Sequence, residues 1–362
     1  PARVPPPLGG EPLTIPIPKS NSATDIASAV SPGSTRLSAD RLLALKCQVK
    51  SYAWGKVGQD SLCAQLAENG LDELEVEDTT PYAELWMGTH PSGPSMIMLT
   101  SPWKMVTPLS EWIKLNPYLR GPRSRRSEGD DRLNRRKSMM KMESNSVPFL
   151  FKILSVRTAL SIQAHPDKEL AVRLHASRPE HYKDDNHKPE MTVAITPFEA
   201  LCSFQPAYSI LCNCRATPEL VAVIGEHTVS DLETAYERRD AGGGAVKDAL
   251  RALFRALITA GTELVAKQLE VLARRVESTL DILRAPVDVL AMRLYEQYPG
   301  DVGVFCVYLL NYRVLQPGEA LYLGANEPHA YLFGDCAEVM ATSDNVVRAG
   351  LTPKWKDVET LC

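Results

Sequence analysis

Gln163 and His165 stand two residues apart in a stretch of strand-like character. Side chains at i and i+2 of a strand share one face, so both can point into the same cavity. Glu190 follows His187-Lys188-Pro189, where the proline restrains the backbone ahead of the carboxylate. His329 comes much later, directly after Asn326-Glu327-Pro328. Two imidazoles, one carboxylate and one amide oxygen are all ligands for a first-row divalent metal, and zinc suits such a set. The amide is neutral, so a dication held by one carboxylate keeps one net positive charge. It would remain electrophilic towards a hydroxyl or a water. Singly, each residue has an ordinary explanation. A strand histidine is commonly a hydrogen-bonded structural residue, and a glutamate beside Lys and Pro is commonly solvated. Spacing alone leaves this cluster as one reading among several.

A second concentration of charge lies in the run from Glu338 to Lys354, after the strand that holds His329. It contains Glu338, Asp344, Arg348 and Lys354. Two cations there could hold a phosphate or a developing enediolate. A nearby carboxylate could move a proton. The plain reading of the same run is a hairpin with solvated charges.

Strands must carry most of these residues. The partial alternation of Leu45 to Lys50 predicts a strand, and Asp60 to Leu66 a short capped helix. Pro148 to Val156 reads as a largely buried strand and Leu160 to His165 as the next. A helix is expected over Asp167 to Leu174, just past Pro166. Strand material returns at Met191 to Ile195 and Leu201 to Phe204. The character changes after about Thr217. From Ala245 to Tyr298, Leu250, Leu253, Phe254 and Leu257 recur at helical spacing, as do Leu269, Leu272, Val276, Leu280 and Leu283. Val304 to Asn311, Ala320 to Gly324 and His329 to Phe333 then read as short strands, with turns at Gln316-Pro317-Gly318-Glu319, Asn326-Glu327-Pro328 and Gly334-Asp335. Many short strands between Pro/Gly turns favour a sandwich or barrel over a parallel α/β sheet.

The 362 residues are 44% hydrophobic and 23% charged, with a formal net charge of -4. A chain of this size can bury a substantial core, split over two packed units. No basic excess points to nucleic acid or an anionic membrane. No stretch approaches the roughly 20 apolar residues that span a bilayer. The eight cysteines are scattered, which fits a reducing compartment, and Cys212 and Cys214 read as structural. Residues 1–40 carry eight prolines among Ser, Ala and Gly and read as a disordered tail. Nine Lys and Arg residues crowd the stretch 120–142, which reads as a charged surface insertion rather than an RNA-binding patch.

Several longer motifs carry a resemblance. They are Tyr52-Ala53-Trp54-Gly55-Lys56, Pro81 to Pro91, Pro148-Phe149-Leu150-Phe151-Lys152 and Ser161-Ile162-Gln163-Ala164-His165-Pro166. Asn186-His187-Lys188-Pro189-Glu190-Met191, Pro328-His329-Ala330-Tyr331 and Ser343 to Lys354 complete the set. Over roughly residues 45 to 362 the chain resembles the type I mannose-6-phosphate isomerases, a zinc-dependent cupin family. The resemblance implies a mainly β fold, with cupin-type jelly-roll units and an inserted α-helical domain. The expected parts are a tail at 1–40, a β region at 41–215 with a basic loop at about 120–146, a helical domain at 216–298, and a β region at 299–362. The family continues for several dozen residues more, so the second β unit is expected to be incomplete.

The resemblance further implies one zinc per chain, on Gln163, His165, Glu190 and His329. Arg348 matches the arginine central to isomerisation. Ser161, Lys188 and Lys354 match polar or basic groups around the phosphate and sugar oxygens, and Glu338, Asp344, Trp54 and Tyr331 match other pocket-lining positions. The implied reaction interconverts mannose 6-phosphate and fructose 6-phosphate. The ring opens, a base removes the C2 proton, a cis-enediol forms, and the proton returns at C1. Glu338, Lys188, Asp344 and a metal-bound water are the candidate bases. The expected partner is a small sugar phosphate, with no nucleic acid and no membrane. The chain is expected to be a cytoplasmic monomer serving GDP-mannose supply or mannose breakdown. The competing readings are another cupin metalloenzyme, with iron and oxygen chemistry, and an inactive or truncated sugar-phosphate binding protein.

Overall fold

The apolar run after Pro148 forms the strand Phe149–Val156. Its first residues alternate between exposed and buried faces, and from Lys152 onward every residue is buried. The outer face is closed there by the helix Leu62–Glu68, whose Cys63, Ala64 and Ala67 pack on Leu85 and Ile153. Ser61 caps that helix by accepting the Ala64 N–H. The computed structural model describes residues 43–70, 74–99, 105–116, 146–238 and 244–362. The expected tail at 1–40 and the basic stretch at 120–142 lie outside the described residues.

The main sheet runs in the order Leu310–Leu315, Phe198–Phe204, His329–Ala341, Phe149–Val156, Glu84–Met87 and Gln48–Lys50. Glu190–Ala194 pairs with both Ala320–Leu323 and His329–Ala341, and Ile162–Ala164 pairs with both His329–Ala341 and Val347–Gly350. Every strand pair among the described residues is antiparallel, as the short, turn-separated strands imply.

The segment read as His329 to Phe333 with a turn at Gly334-Asp335 is one continuous strand, His329–Ala341. What the glycine marks is a bulge. Glu199 pairs with Phe333 while its neighbour Ala200 pairs with Tyr331, so Leu332 is the extra residue. Gly334 follows at φ 109°, and a Cβ there would sit 2.4 Å from the Pro197 carbonyl oxygen. The extra residue reverses the facing of the strand. Before it, the odd-numbered His329 and Tyr331 face the cavity; after it, the even-numbered Glu338 does.

Helices fill more of the chain than a mainly β reading allows, so the content is mixed. Apart from the short helices Leu62–Glu68, Leu109–Leu115, Lys168–Ser177 and Val358–Leu361, a helical stretch begins at Ala207–Ala216, continues through Pro218–Ile224, Glu226–Arg238, Gly244–Ile258, Thr262–Ser278 and Pro286–Gln297, and ends in a 3-10 segment, Val302–Tyr308. It thus extends past the expected 216–298 window at both ends. The 3-10 segment replaces part of the strand expected at Val304 to Asn311; the strand starts only at Leu310. All seven 3-10 residues are buried, and periodicity cannot separate an apolar run buried all round from a buried strand. Leu280 and Leu283 also depart from the helical pattern. Thr262–Ser278 stops short of them, and both are 70% exposed.

The helices and the sheet share one core. Leu253, Leu257, Leu269 and Leu272 from the helices pack in the same cluster as Ile162, Leu201, Ala330 and Ala349 from the strands. Ile162, Ala330 and Ala349 are chain neighbours of Gln163, His329 and Arg348. Strand alternation therefore plants one residue of each pair in the core and turns its functional neighbour the other way. Full burial of a side chain such as Ile162 contributes about 1.5–3 kcal/mol, and the same burial fixes the residue beside it.

Candidate metal centre

Gln163 is the register partner of His329 on one side and of Arg348 on the other. Three strands thus bring three residues, far apart in sequence, to adjacent positions. His165 lies just past the end of Ile162–Ala164, and Glu190 opens the strand Glu190–Ala194 opposite Met340. His165, Glu190 and His329 are buried, and their ligand atoms all lie within 4.8 Å of one another.

The hydrogen bonds fix the state of both imidazoles. His165 Nδ1 lies 2.8 Å from the Asn345 carbonyl oxygen, and His329 Nδ1 lies 2.8 Å from that of Glu327. A carbonyl only accepts, so each Nδ1 carries the proton and donates. Each Nε2 is then a bare lone pair, and both are buried without a hydrogen-bond partner. Both also lie 3.4 Å from Glu190 Oε2. Three buried acceptors converge with no donor among them, an arrangement that repels itself until a cation is present. Ligand atoms about 2.0–2.1 Å from a tetrahedral centre stand about 3.3–3.4 Å apart, which matches these spacings. The residues fit a divalent metal. Gln163 lies beside them in register, with its Oε1 accepting from Ser161 Oγ at 3.3 Å.

Lys188 Nζ holds the other Glu190 oxygen at 3.0 Å. Burial pushes the Glu190 carboxyl up, but the Lys188 ammonium outweighs it and holds the group well below its ordinary value. Burial, reinforced by Lys188, pushes His165 down to about 4. Its neutral, ligand-ready form is therefore favoured. A pH dependence of stability follows for the metal-free protein. Between the ordinary value of 6.5 and about 4 the unfolded chain binds a proton on this histidine that the folded chain refuses. Stability is thus fully present above pH 6.5 and falls as the pH drops through that window, by about 3 kcal/mol. The depressed Glu190 acts with the same sign below 4.5. Urea midpoints of apo protein from pH 7 to 4 should decline; a flat profile would count against this state of His165.

Behind the ligands lies a row of buried charge. Trp86, Lys152, Glu338 and Thr192 are register partners across four strands. Lys152 Nζ lies 3.4 Å from Glu338 and 3.8 Å from Glu84. Tyr331 donates its hydroxyl to Glu338 at 2.9 Å. Burial and the nearby Glu190 push the Glu338 carboxyl up, with Lys152 and Lys188 opposing.

Around this centre the other expected residues take different places. Tyr331 is buried, with its hydroxyl committed to Glu338. Trp54 packs on the same cluster as Tyr331 and stacks on Tyr52. Asp344 is half-exposed, 3.4 Å from His90, which holds its carboxyl low. Arg348 is half-buried, and no carboxylate of the described residues lies within ion-pair distance of it. Lys354 is exposed. Glu84, His90, Lys152 and the carbonyls of Asn345 and Glu327 were not singled out from the residues. Lys152 had a signal: a lone cation in the apolar run Pro148 to Val156 must find a buried partner.

Known proteins resemble this chain in sequence and fold. Residues 42–207 match the family described as phosphomannose isomerase type I, catalytic domain, and residues 223–310 match phosphomannose isomerase type I, helical insertion domain. The chain is 45% identical to a mannose-6-phosphate isomerase of Rattus norvegicus over 325 residues, covering 89% of this chain and 72% of that protein. It is 46% identical to mannose-6-phosphate isomerase 1 of Arabidopsis thaliana, covering 89% and 70%. Among solved structures, an arginine-to-alanine mutant of phosphomannose isomerase from Salmonella typhimurium superposes with a TM-score of 0.66 at 32% identity, over 88% of this chain and 72% of that one. A mannose 6-phosphate isomerase bound with zinc and yttrium gives 0.65 at 32%, over 88% and 73%.

Proposed function

This chain belongs to the type I phosphomannose isomerase family and interconverts mannose 6-phosphate and fructose 6-phosphate, and we propose that it does so with one zinc ion held by Gln163, His165, Glu190 and His329. The observation that carries the metal reading is the pair of bare Nε2 atoms facing one carboxylate oxygen in a buried cavity. When bound, the ion supplies a Lewis acid that eases negative charge onto a sugar oxygen.

The remaining work falls to the chain's own groups. Arg348, beside Gln163, presents an unneutralised cation to the oxygen that gains charge as the C2 proton leaves. Glu338 is the base we favour for that proton. Tyr331 orients its carboxylate, and its upward shift makes it a stronger base than a solvated carboxylate. Asp344 is shifted the other way and is the weaker base. Lys188 is engaged with Glu190. We assign the phosphate end to Lys354, with Ser161 and Trp54 contacting the sugar. Glu338→Gln should lower kcat about 100-fold with the metal retained, and Asp344→Asn should lower it less; the reverse order would reassign the base.

The function is tested by incubating the purified chain with mannose 6-phosphate, following fructose 6-phosphate, and measuring bound metal by mass spectrometry. About one zinc per chain with turnover is expected. Zinc-loaded protein without turnover would sink the catalytic reading. The same proposal takes the chain as a monomer meeting its substrate in the cytoplasm, which rests on the family resemblance. Among the described residues no helix is long and apolar enough to cross a membrane.

A further inference from the structure

Arg348 sits on the short strand Val347–Gly350, and the grip on that strand comes from the helical side of the molecule. Asp301 follows the last long helix, Pro286–Gln297, and caps the 3-10 segment Val302–Tyr308 by accepting the Gly303 N–H at 2.7 Å. The same oxygen, Oδ1, accepts the Leu351 N–H at 2.7 Å. Its other oxygen takes the Thr352 N–H at 3.4 Å and lies 3.3 Å from Lys356 Nζ. One carboxylate therefore ties the exit of the helices to the main chain three residues past Arg348.

Two further features show that the tie is tight. A Cβ on Gly350 would sit 2.5 Å from Gly303 Cα, and a Cβ on Gly303 would sit 2.5 Å from the Leu351 nitrogen. Neither strand nor 3-10 segment can move towards the other. Leu351 itself is held at φ 52°, a left-handed conformation rare for a bulky side chain. Such a residue persists only where its surroundings over-determine it. The other two left-handed non-glycine residues among those described, Ser203 and Asn326, also flank the centre. Cys202, next to Ser203, pairs with His329, and Asn326 donates its N–H to the His165 carbonyl.

We infer that Asp301 is a positioning residue for the isomerisation: it sets the reach of Arg348 over the metal centre by fixing Gly350, Leu351 and Thr352. The helical unit thereby contributes to catalysis through one carboxylate and no contact with substrate. The inference rests on the role given to Arg348. Small displacements of a charge-stabilising group cost rate steeply. Asp301→Ala should lower kcat about 10- to 100-fold per zinc-loaded, folded chain, with KM and zinc content within about twofold. Asp301→Asn keeps an oxygen acceptor for the Leu351 N–H and should recover most of the rate.

The deciding experiment is a double-mutant cycle with Arg348→Ala. If Asp301 acts through Arg348, adding Asp301→Ala to Arg348→Ala should change kcat less than about twofold. Equal losses from Asp301→Ala in both backgrounds would overturn the inference, as would a loss fully explained by unfolded or zinc-free protein. Full turnover by Arg348→Ala alone would remove the premise, so that failure is read separately from the first two.

Discussion

A Glu190→Gln variant is expected to bind less than about a tenth of the metal of the parent chain at equal free zinc, a loss of about 1.4 kcal/mol or more, and to show no turnover above background. Glu190 is the only anionic donor in the cluster of buried groups. Without it the ion faces two neutral imidazoles and an amide, with the Lys188 ammonium close behind. In the parent protein that ammonium lies 3.0 Å from Glu190 and is 8% exposed. Removing one partner of such a buried pair costs about 3–5 kcal/mol, because the other charge is left uncompensated. Glu190→Gln keeps the shape and some hydrogen bonding, so it isolates the charge; Glu190→Ala adds the cavity. Metal per chain and urea midpoints should be measured on both. Full zinc occupancy in Glu190→Gln would show that the imidazoles and Gln163 suffice.

Arg348→Ala is expected to lose about 10²–10³-fold in kcat while keeping its zinc. The guanidinium is half-buried, so it is partly shielded from water and burial pulls it below its ordinary value; an arginine side chain nevertheless stays charged in proteins. Its charge is therefore available to substrate oxygen. The split between the two kinetic parameters decides its role. A fall in kcat at steady KM marks a contact made in the transition state, whereas a rise in KM alone marks uniform binding, such as to the phosphate. Arg348→Lys should recover only part of the loss, because an ammonium cannot reproduce the planar fork. Wild-type kcat in Arg348→Ala would remove Arg348 from the chemistry and return the charge work to Lys188.

Much of the centre could be read from the sequence because its residues lie in local patterns. Gln163 and His165 keep strand spacing, and the long motifs around Glu190, His329 and Arg348 carry a family resemblance. What could not be read is what strands do to one another. No spacing shows that Gln163 pairs with His329 and Arg348, or that Lys152 meets Glu338, since those are registers between segments 166 to 186 residues apart. Gly334 was visible as a glycine, but turn and bulge use the same residue for the same reason, a positive φ. The helical content is hidden at Val302–Tyr308 because an apolar run buried on all sides loses the periodicity that tells helix from strand, and at Ala207–Ala216 because its buried stripe is only Ile210, Leu211 and Cys214.

Both imidazoles of the centre take their orientation from carbonyls of the main chain, those of Asn345 and Glu327. A side-chain partner can be lost to one substitution, but a carbonyl is present whatever residue occupies the position. The choice of tautomer is thus sheltered from direct loss of its hydrogen-bond acceptor, and only a change in backbone path can undo it. The path is guarded by different means in the two places: Asn345 Nδ2 donates to the Asp184 carbonyl, and the turn before His329 is closed by left-handed Asn326. Variation that spares His165, Glu190 and His329 and yet weakens metal affinity is therefore to be sought at Asn345 and Asn326, whose side chain and left-handed backbone respectively hold the two paths.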